Sequence, residues 1–152
     1  MKKVKIISEG ENYTAIDIGE FDKLMGYSYL HPKLHHIVKG KVFIGETVKS
    51  SGTEISFQIL PPATDIGFLH KHKNHEEIYI FIKGKGQFQV DGNILDVKQG
   101  TIIRVSADGS RTWRNNSDAE MIIMVIQSQE GSLDSHFIAD GFRTKGEISW
   151  KQ

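Results

Sequence analysis

The sequence predicts an all-β fold, a sandwich or barrel of short strands, and three observations carry that prediction. Runs of β-branched and aromatic residues recur at short intervals between turn signals. Two of those signals, Lys83-Gly84-Lys85-Gly86 and Asp91-Gly92, are of hairpin type, with residues that tolerate positive φ. Helical periodicity is nearly absent.

In chain order, the first predicted strands are Val4–Ile7 and Tyr13–Ile18. Glu20–Leu24 is at most one helical turn, because Gly26 would stop it. Val42–Val48 and Thr53–Leu60 follow, and Pro61-Pro62 ends the second of these, since proline cannot donate to a central ladder. Phe68–His72 is then the start of a new strand. Glu77–Ile82, Gly86–Val90, Ile94–Val97 and Thr101–Val105 are expected to form a meander joined by the two glycine turns. Thr112–Arg114 and Met121–Gln127 complete the set, separated by the polar turn Asn115-Asn116-Ser117-Asp118.

The 152 residues show no composition break and predict one domain, with a barrel core over about residues 42–127 and flanking arms 1–41 and 128–152. Arms on a small β-barrel often cover an open edge or cross to a second subunit, so a homodimer is expected. Nineteen basic and nineteen acidic side chains give zero formal charge, which argues against a nucleic-acid or anionic-membrane partner. Without cysteine there are no disulfides, thiolate ligands or thiol nucleophile, and any metal must use nitrogen and oxygen donors. Met1 to Ser8 has no apolar signal core and no stretch is long enough to span a membrane, so a soluble, cytoplasmic protein is expected. Serine-triad, P-loop and dinucleotide motifs are missing.

The stretch from His70 to Glu77 carries the chemistry. On an extended strand His70 and His72 point to one face. A carboxylate from the next strand would complete a two-histidine, one-carboxylate set that holds a divalent first-row metal and leaves coordination positions open. The bland alternative is two surface histidines flanked by Lys71 and Lys73. Glu76 and Glu77 compete for the carboxylate role, because strand alternation sends them to opposite faces. Glu76 shares its face with Ile78, Ile80 and Ile82, which hydrophobicity would place inside; Glu77 shares its face with Tyr79 and Phe81.

Around this segment the chain resembles the cupin superfamily. The first motif of that family reads His-x-His, three or four residues, Glu, six residues, Gly, and His70, His72, Glu77 and Gly84 satisfy it, although Gly67 stands closer to His70 than the pattern asks. The second motif is met in spacing from Gly100, with Ser106, Asp108 and Arg111 standing where the family has Pro, Gly and His, and Asn115 retained. The resemblance spans about residues 55–127 and implies a jelly-roll barrel, or double-stranded β-helix. It also implies metal ligation by His70, His72 and Glu77, the ion being iron, manganese, nickel or zinc, and favours Glu77 over Glu76.

Arg111 departs most from the pattern, since a guanidinium offers only donors and cannot ligate a cation. It could anchor an anionic group of a substrate beside a three-ligand metal, pair with Glu77 in a metal-free pocket, or face solvent. Tyr79 and Phe81 are expected to line the pocket with it. His75 is a substitute ligand if the strand shifts, whereas His31, His35, His36 and His136 read as solvated or loop-packing residues and Trp113 and Phe88 as core. The function implied is binding or conversion of a small oxygenated, anionic metabolite by dioxygenase-like or isomerase-like chemistry. The competing function is a metal-free module or sensor for a small anion or sugar. The fold alone does not choose between them.

Overall fold

The computed structural model describes residues 2–32 and 35–151; Met1, Lys33, Leu34 and Gln152, all in the predicted arms, lie outside them. Two sheets face each other. The larger has the order β11-β8-β13-β6-β5, formed by Ile102–Val105, His75–Lys83, Met121–Gln129, Thr53–Leu60 and Lys41–Phe43. The smaller has the order β10-β9-β12-β7, formed by Asn93–Lys98, Lys85–Val90, Arg111–Asn115 and Thr64–Asp65. All neighbours in both sheets are antiparallel. Two hairpins stand apart, β1-β2 (Lys5–Gly10 with Tyr13–Asp17) and β3-β4 (Ser28–Leu30 with Ile37–Lys39). Among the described residues the single helical element is a 3-10 turn, Phe21–Gly26, and no helix is long and apolar enough to cross a membrane.

One apolar cluster lies between the sheets and includes Leu60, Tyr79, Phe81, Phe88, Trp113, Met121, Ile123 and Val125. A second lies on the other side of the larger sheet, where Leu24 and Tyr27 pack on Val42, Ile59 and Ile122, with Val4, Ile18, Phe57 and Ile82 at the margin. The N-terminal segment therefore covers the outer face of β5, β6, β8 and β13. This arrangement lets apolar residues occupy both faces of one strand, as in parallel-sheet proteins, without either face meeting water.

Three expectations need correction. The meander does not form, because β8 and β9 belong to different sheets and the chain crosses from one to the other at Gly84. A Cβ at Gly84 would sit 2.3 Å from the Glu120 carbonyl oxygen, and its φ is +78°, so both space and backbone conformation call for glycine. Asp91-Gly92 does close a hairpin, β9-β10, both residues having positive φ as a type I′ turn requires. Phe68–His72 is not a strand: Gly67 at φ +77° breaks away from β7, and only His70 makes a bridge, exchanging two 3.1 Å backbone hydrogen bonds with Arg111. Strand β5 ends at Phe43 rather than Val48, because residues 44–49 turn, with Val48 N donating to Ile44 O and Lys49 at positive φ.

Candidate metal centre and its cavity

Backbone hydrogen bonds position the two histidines without a regular strand. His70 is tied to Arg111 in both directions, and His72 N donates to Ala107 O at 3.1 Å. Both side chains thus hang over the start of β12. Glu77 arrives from the inner face of β8, with Tyr79 and Phe81 following it on that face. Glu76 turns the other way and pairs with Arg104 at 2.5 Å, so Glu77 is the inward acid. The isoleucine face that hydrophobicity favoured as interior lies on the other side of the sheet, where Ile82 packs beneath the N-terminal layer.

One ligand atom from each of His70, His72 and Glu77 can be chosen so that all lie within 4.8 Å of one another. His72 Nε2 is 3.3 Å from Glu77 Oε1, and His70 Nε2 is 3.8 Å from Oε2. Donors about 2.0–2.2 Å from a shared ion stand roughly 3–4 Å apart, so these separations fit a metal. Buried His72 Nε2 makes no hydrogen bond, which also fits a lone pair kept for an ion.

Arg111 is 0% exposed and Glu77 is 7% exposed. The guanidinium donates to Glu77 Oε2 from Nη2 at 2.6 Å and from Nε at 3.2 Å. Its Nε also lies 3.3 Å from the Tyr79 hydroxyl, and Nη1 donates to Gly109 O at 2.8 Å and Ala107 O at 3.4 Å. The Tyr79 hydroxyl donates to the same Oε2. One carboxylate oxygen is therefore saturated by the protein, and Oε1 is left toward His72. Burial by itself would raise the Glu77 pKa, but the hydrogen bonds from Tyr79 and Arg111, with the His70 and His72 imidazoles beside it, outweigh it and hold the carboxyl well below its usual range. Burial pushes the Tyr79 phenol up, and the Glu77 charge pushes it further.

The outward-facing position considered for Arg111 is excluded by its burial. Arg111, Tyr79 and Phe81, expected to contact substrate, all stand behind Glu77 and take no part in the lining of the adjoining cavity. Every guanidinium nitrogen is already engaged within the protein, which is why none reaches that space.

The cavity, about 960 Å³, contains all three candidate ligands on its wall. A smaller depression of about 470 Å³ between Gly67 and Gln89 contains none of them. The larger cavity is mostly apolar, with Tyr29, Phe43, Leu60, Phe68, Trp113 and Val125 among its walls. His31 and His36, expected to be loop residues, stack at 5.7 Å on its lining.

Sequence reasoning missed Lys41, Gln58 and the indole nitrogen of Trp113. Lys41 and Gln58 are paired across β5 and β6, hence on one face, and both line the cavity. Burial lowers the Lys41 pKa, while the charge of Glu77 opposes that shift. A signal did exist in β6: Glu54, Ser56 and Gln58 alternate with Ile55, Phe57 and Ile59. The polar set faces the cavity, whereas Phe57 and Ile59 are covered by the N-terminal layer.

The chain is similar to known proteins of one fold. Residues 56–127 match the cupin domain family. A curated oxalate-binding protein from Thermotoga maritima is 33% identical over 69 residues, 44% of this chain, and the match spans 56% of that relative's length. A Cupin 2 conserved barrel domain protein from Salinispora arenicola shares the fold at 18% identity and a TM-score of 0.58, covering 76% of this chain and 91% of its own. A cupin protein from Bacteroides fragilis, known from its crystal structure, aligns with a TM-score of 0.66 over 69% of this chain. Since that alignment runs at 31% identity through 89% of the Bacteroides protein, the chain described here belongs to the cupin superfamily.

Proposed function

We propose that this cupin binds a divalent metal through His70, His72 and Glu77 and uses it to hold, and to act on, a small oxygenated metabolite. The observation that carries the proposal is the division of labour at Glu77: Oε2 is clamped by Arg111 and Tyr79, while Oε1 stands 3.3 Å from an unpartnered His72 Nε2. Arg111 is then a positioning residue that keeps the carboxylate ionised and oriented, the role that outer hydrogen-bond partners play at metal sites. The ion would supply Lewis acidity, or dioxygen activation if it is iron, to a ligand bound at open positions. The chain's own residues orient that ligand against an apolar wall, and the similarity to an oxalate-binding protein supports a carboxylate as the oxygenated group. Dioxygenation or isomerisation is the reaction class proposed.

The Glu77–Arg111 pair also suits the second reading, a metal-free binding module, because it neutralises the carboxylate internally. Elemental analysis of untagged protein, incubated with iron, manganese, nickel or zinc and then desalted, separates the two. About one ion per chain is expected, and less than roughly a tenth of an equivalent for every metal would leave only the binding module.

The C-terminal arm is proposed to pack on a second copy, since Leu133, Phe137, Ile138, Phe142, Ile148 and Trp150 are at least 69% exposed. Light scattering on the full chain should give twice the monomer mass, and removal of residues 133–152 should shift the protein toward monomer. A monomeric full chain would refute the dimer.

A further inference from the structure

On the cavity wall, three polar groups have no hydrogen-bond or ion-pair partner in the protein. Gln58 is 7% exposed with Oε1 unpaired, and Trp113 is 5% exposed with Nε1 unpaired. Among the described residues, no carboxylate forms an ion pair with Lys41 and no hydrogen bond ends on its Nζ. Its ammonium instead lies 5.0 Å from the Phe43 ring centroid and 6.0 Å from that of Trp113. The Trp113 ring also stands 5.7 Å from the His70 ring, so the indole adjoins both the lysine and the candidate metal centre.

Buried polar groups are nearly always hydrogen-bonded, and a cation drawn out of water calls for a counter-charge. Glu77 acts on Lys41 only through space and makes no ion pair with it, its Oε2 being held by Arg111 and Tyr79. An amide can turn its NH2 toward an acceptor, the two orientations of Gln58 being interchangeable in shape. An ammonium, an amide NH2 and an indole N–H are all donors, and they would together surround a carboxylate. Lys41 is on β5 and Glu77 on β8, with β6 and β13 between them, which separates them by about 14 Å across the sheet, and they are level with different residues of β6, Gln58 for Lys41 and Glu54 for Glu77, so they are also offset along it. One carboxylate group would not serve both ends.

We propose that Lys41, Gln58 and Trp113 form an anion subsite for a second carboxylate of the ligand, so that the substrate class is a dicarboxylate longer than oxalate. The apolar walls of the cavity would hold the carbon chain between its two ends. This extends the metal-centre reading above, in which the first carboxylate is bound at His70, His72 and Glu77.

The probes are glutarate and its monoamide, glutaramate, which keeps one carboxylate and makes the other end neutral. Binding is read by calorimetry and by Trp113 fluorescence in a Trp150→Phe background, since Trp150 lies in the exposed arm. Protein loaded with manganese should bind glutarate at least roughly tenfold more tightly than glutaramate, as expected for a charge-assisted contact. Lys41→Met should erase that preference without changing metal content, and Lys41→Arg should retain it. EDTA-treated protein should keep the preference at lower affinity, so a failure of the metal reading is seen separately in the elemental analysis. Equal affinity for the two probes, a preference that survives Lys41→Met, or no glutarate binding to the loaded protein would each overturn the subsite.

Discussion

Replacing Arg111 with methionine is expected to lower stability by about 3–5 kcal/mol at neutral pH, the cost of leaving a buried charge without its partner. Glu77 would keep its place on the inner face of β8, where Arg111 now supplies two hydrogen bonds to Oε2. The melting temperature should fall on the order of 10 °C for a domain of this size. The loss depends on pH, with a sign set by Glu77. Its folded pKa lies below the ordinary value of 4.5, so the ion pair's stabilisation is fully present above about pH 4.5 and is lost as pH falls through the folded value. In the variant, burial dominates and the acid takes up a proton more readily. The gap between wild type and variant should therefore narrow as the solution is acidified below pH 4.5. The double variant Glu77→Leu with Arg111→Met should recover much of the loss, because it removes both charges instead of isolating one. Thermal melts across pH 3–8 check all three points, and a single variant within about 1 kcal/mol of wild type at pH 7 would mean that the pair does not carry this weight.

His72→Ala is expected to weaken metal binding by roughly 100-fold or more, since it removes a ligand rather than an outer partner. Stability of the metal-free form should change by less than about 1 kcal/mol, because the side chain is partly exposed and its Nε2 has no hydrogen bond to lose. A ligand present at a hundred times its Kd stabilises a native protein by about 2.7 kcal/mol, so wild type should melt higher with added metal and the variant should not. Metal titration followed by melting in each form measures both effects. Equal metal-dependent stabilisation of the two proteins would remove His72 from the ligand set. The Arg111 and His72 variants thus act on different quantities, folding in the first case and metal affinity in the second.

What the amino-acid order determined by itself was local. Alternation and β-branched runs located Thr53–Leu60 to the residue and most other strands to within a few positions, and Asp91-Gly92 specified its hairpin, because these depend on neighbours one to four residues away. The spacing from His70 to Gly84 likewise marked the candidate ligands. Tertiary structure decided the rest. Whether β8 and β9 would pair with each other or cross between sheets was decided by the distant strands each pairs with, β11 and β13 for β8 and β10 and β12 for β9, which no local pattern encodes. Whether Glu76 or Glu77 faced inward depended on a layer of residues from the N-terminal segment, which buries the apolar outer face and frees the inner one for polar groups. The same layer explains why Gln58 and Lys41 line a cavity while Phe57 and Ile59 do not. Arg111 could be placed only once Gly109, Ala107, Glu77 and Tyr79, spread over 33 positions of sequence, had been folded around one guanidinium. A side chain's partners are set by distance in space, and distance in sequence is a poor guide to it in an antiparallel barrel whose neighbouring strands are often far apart along the chain.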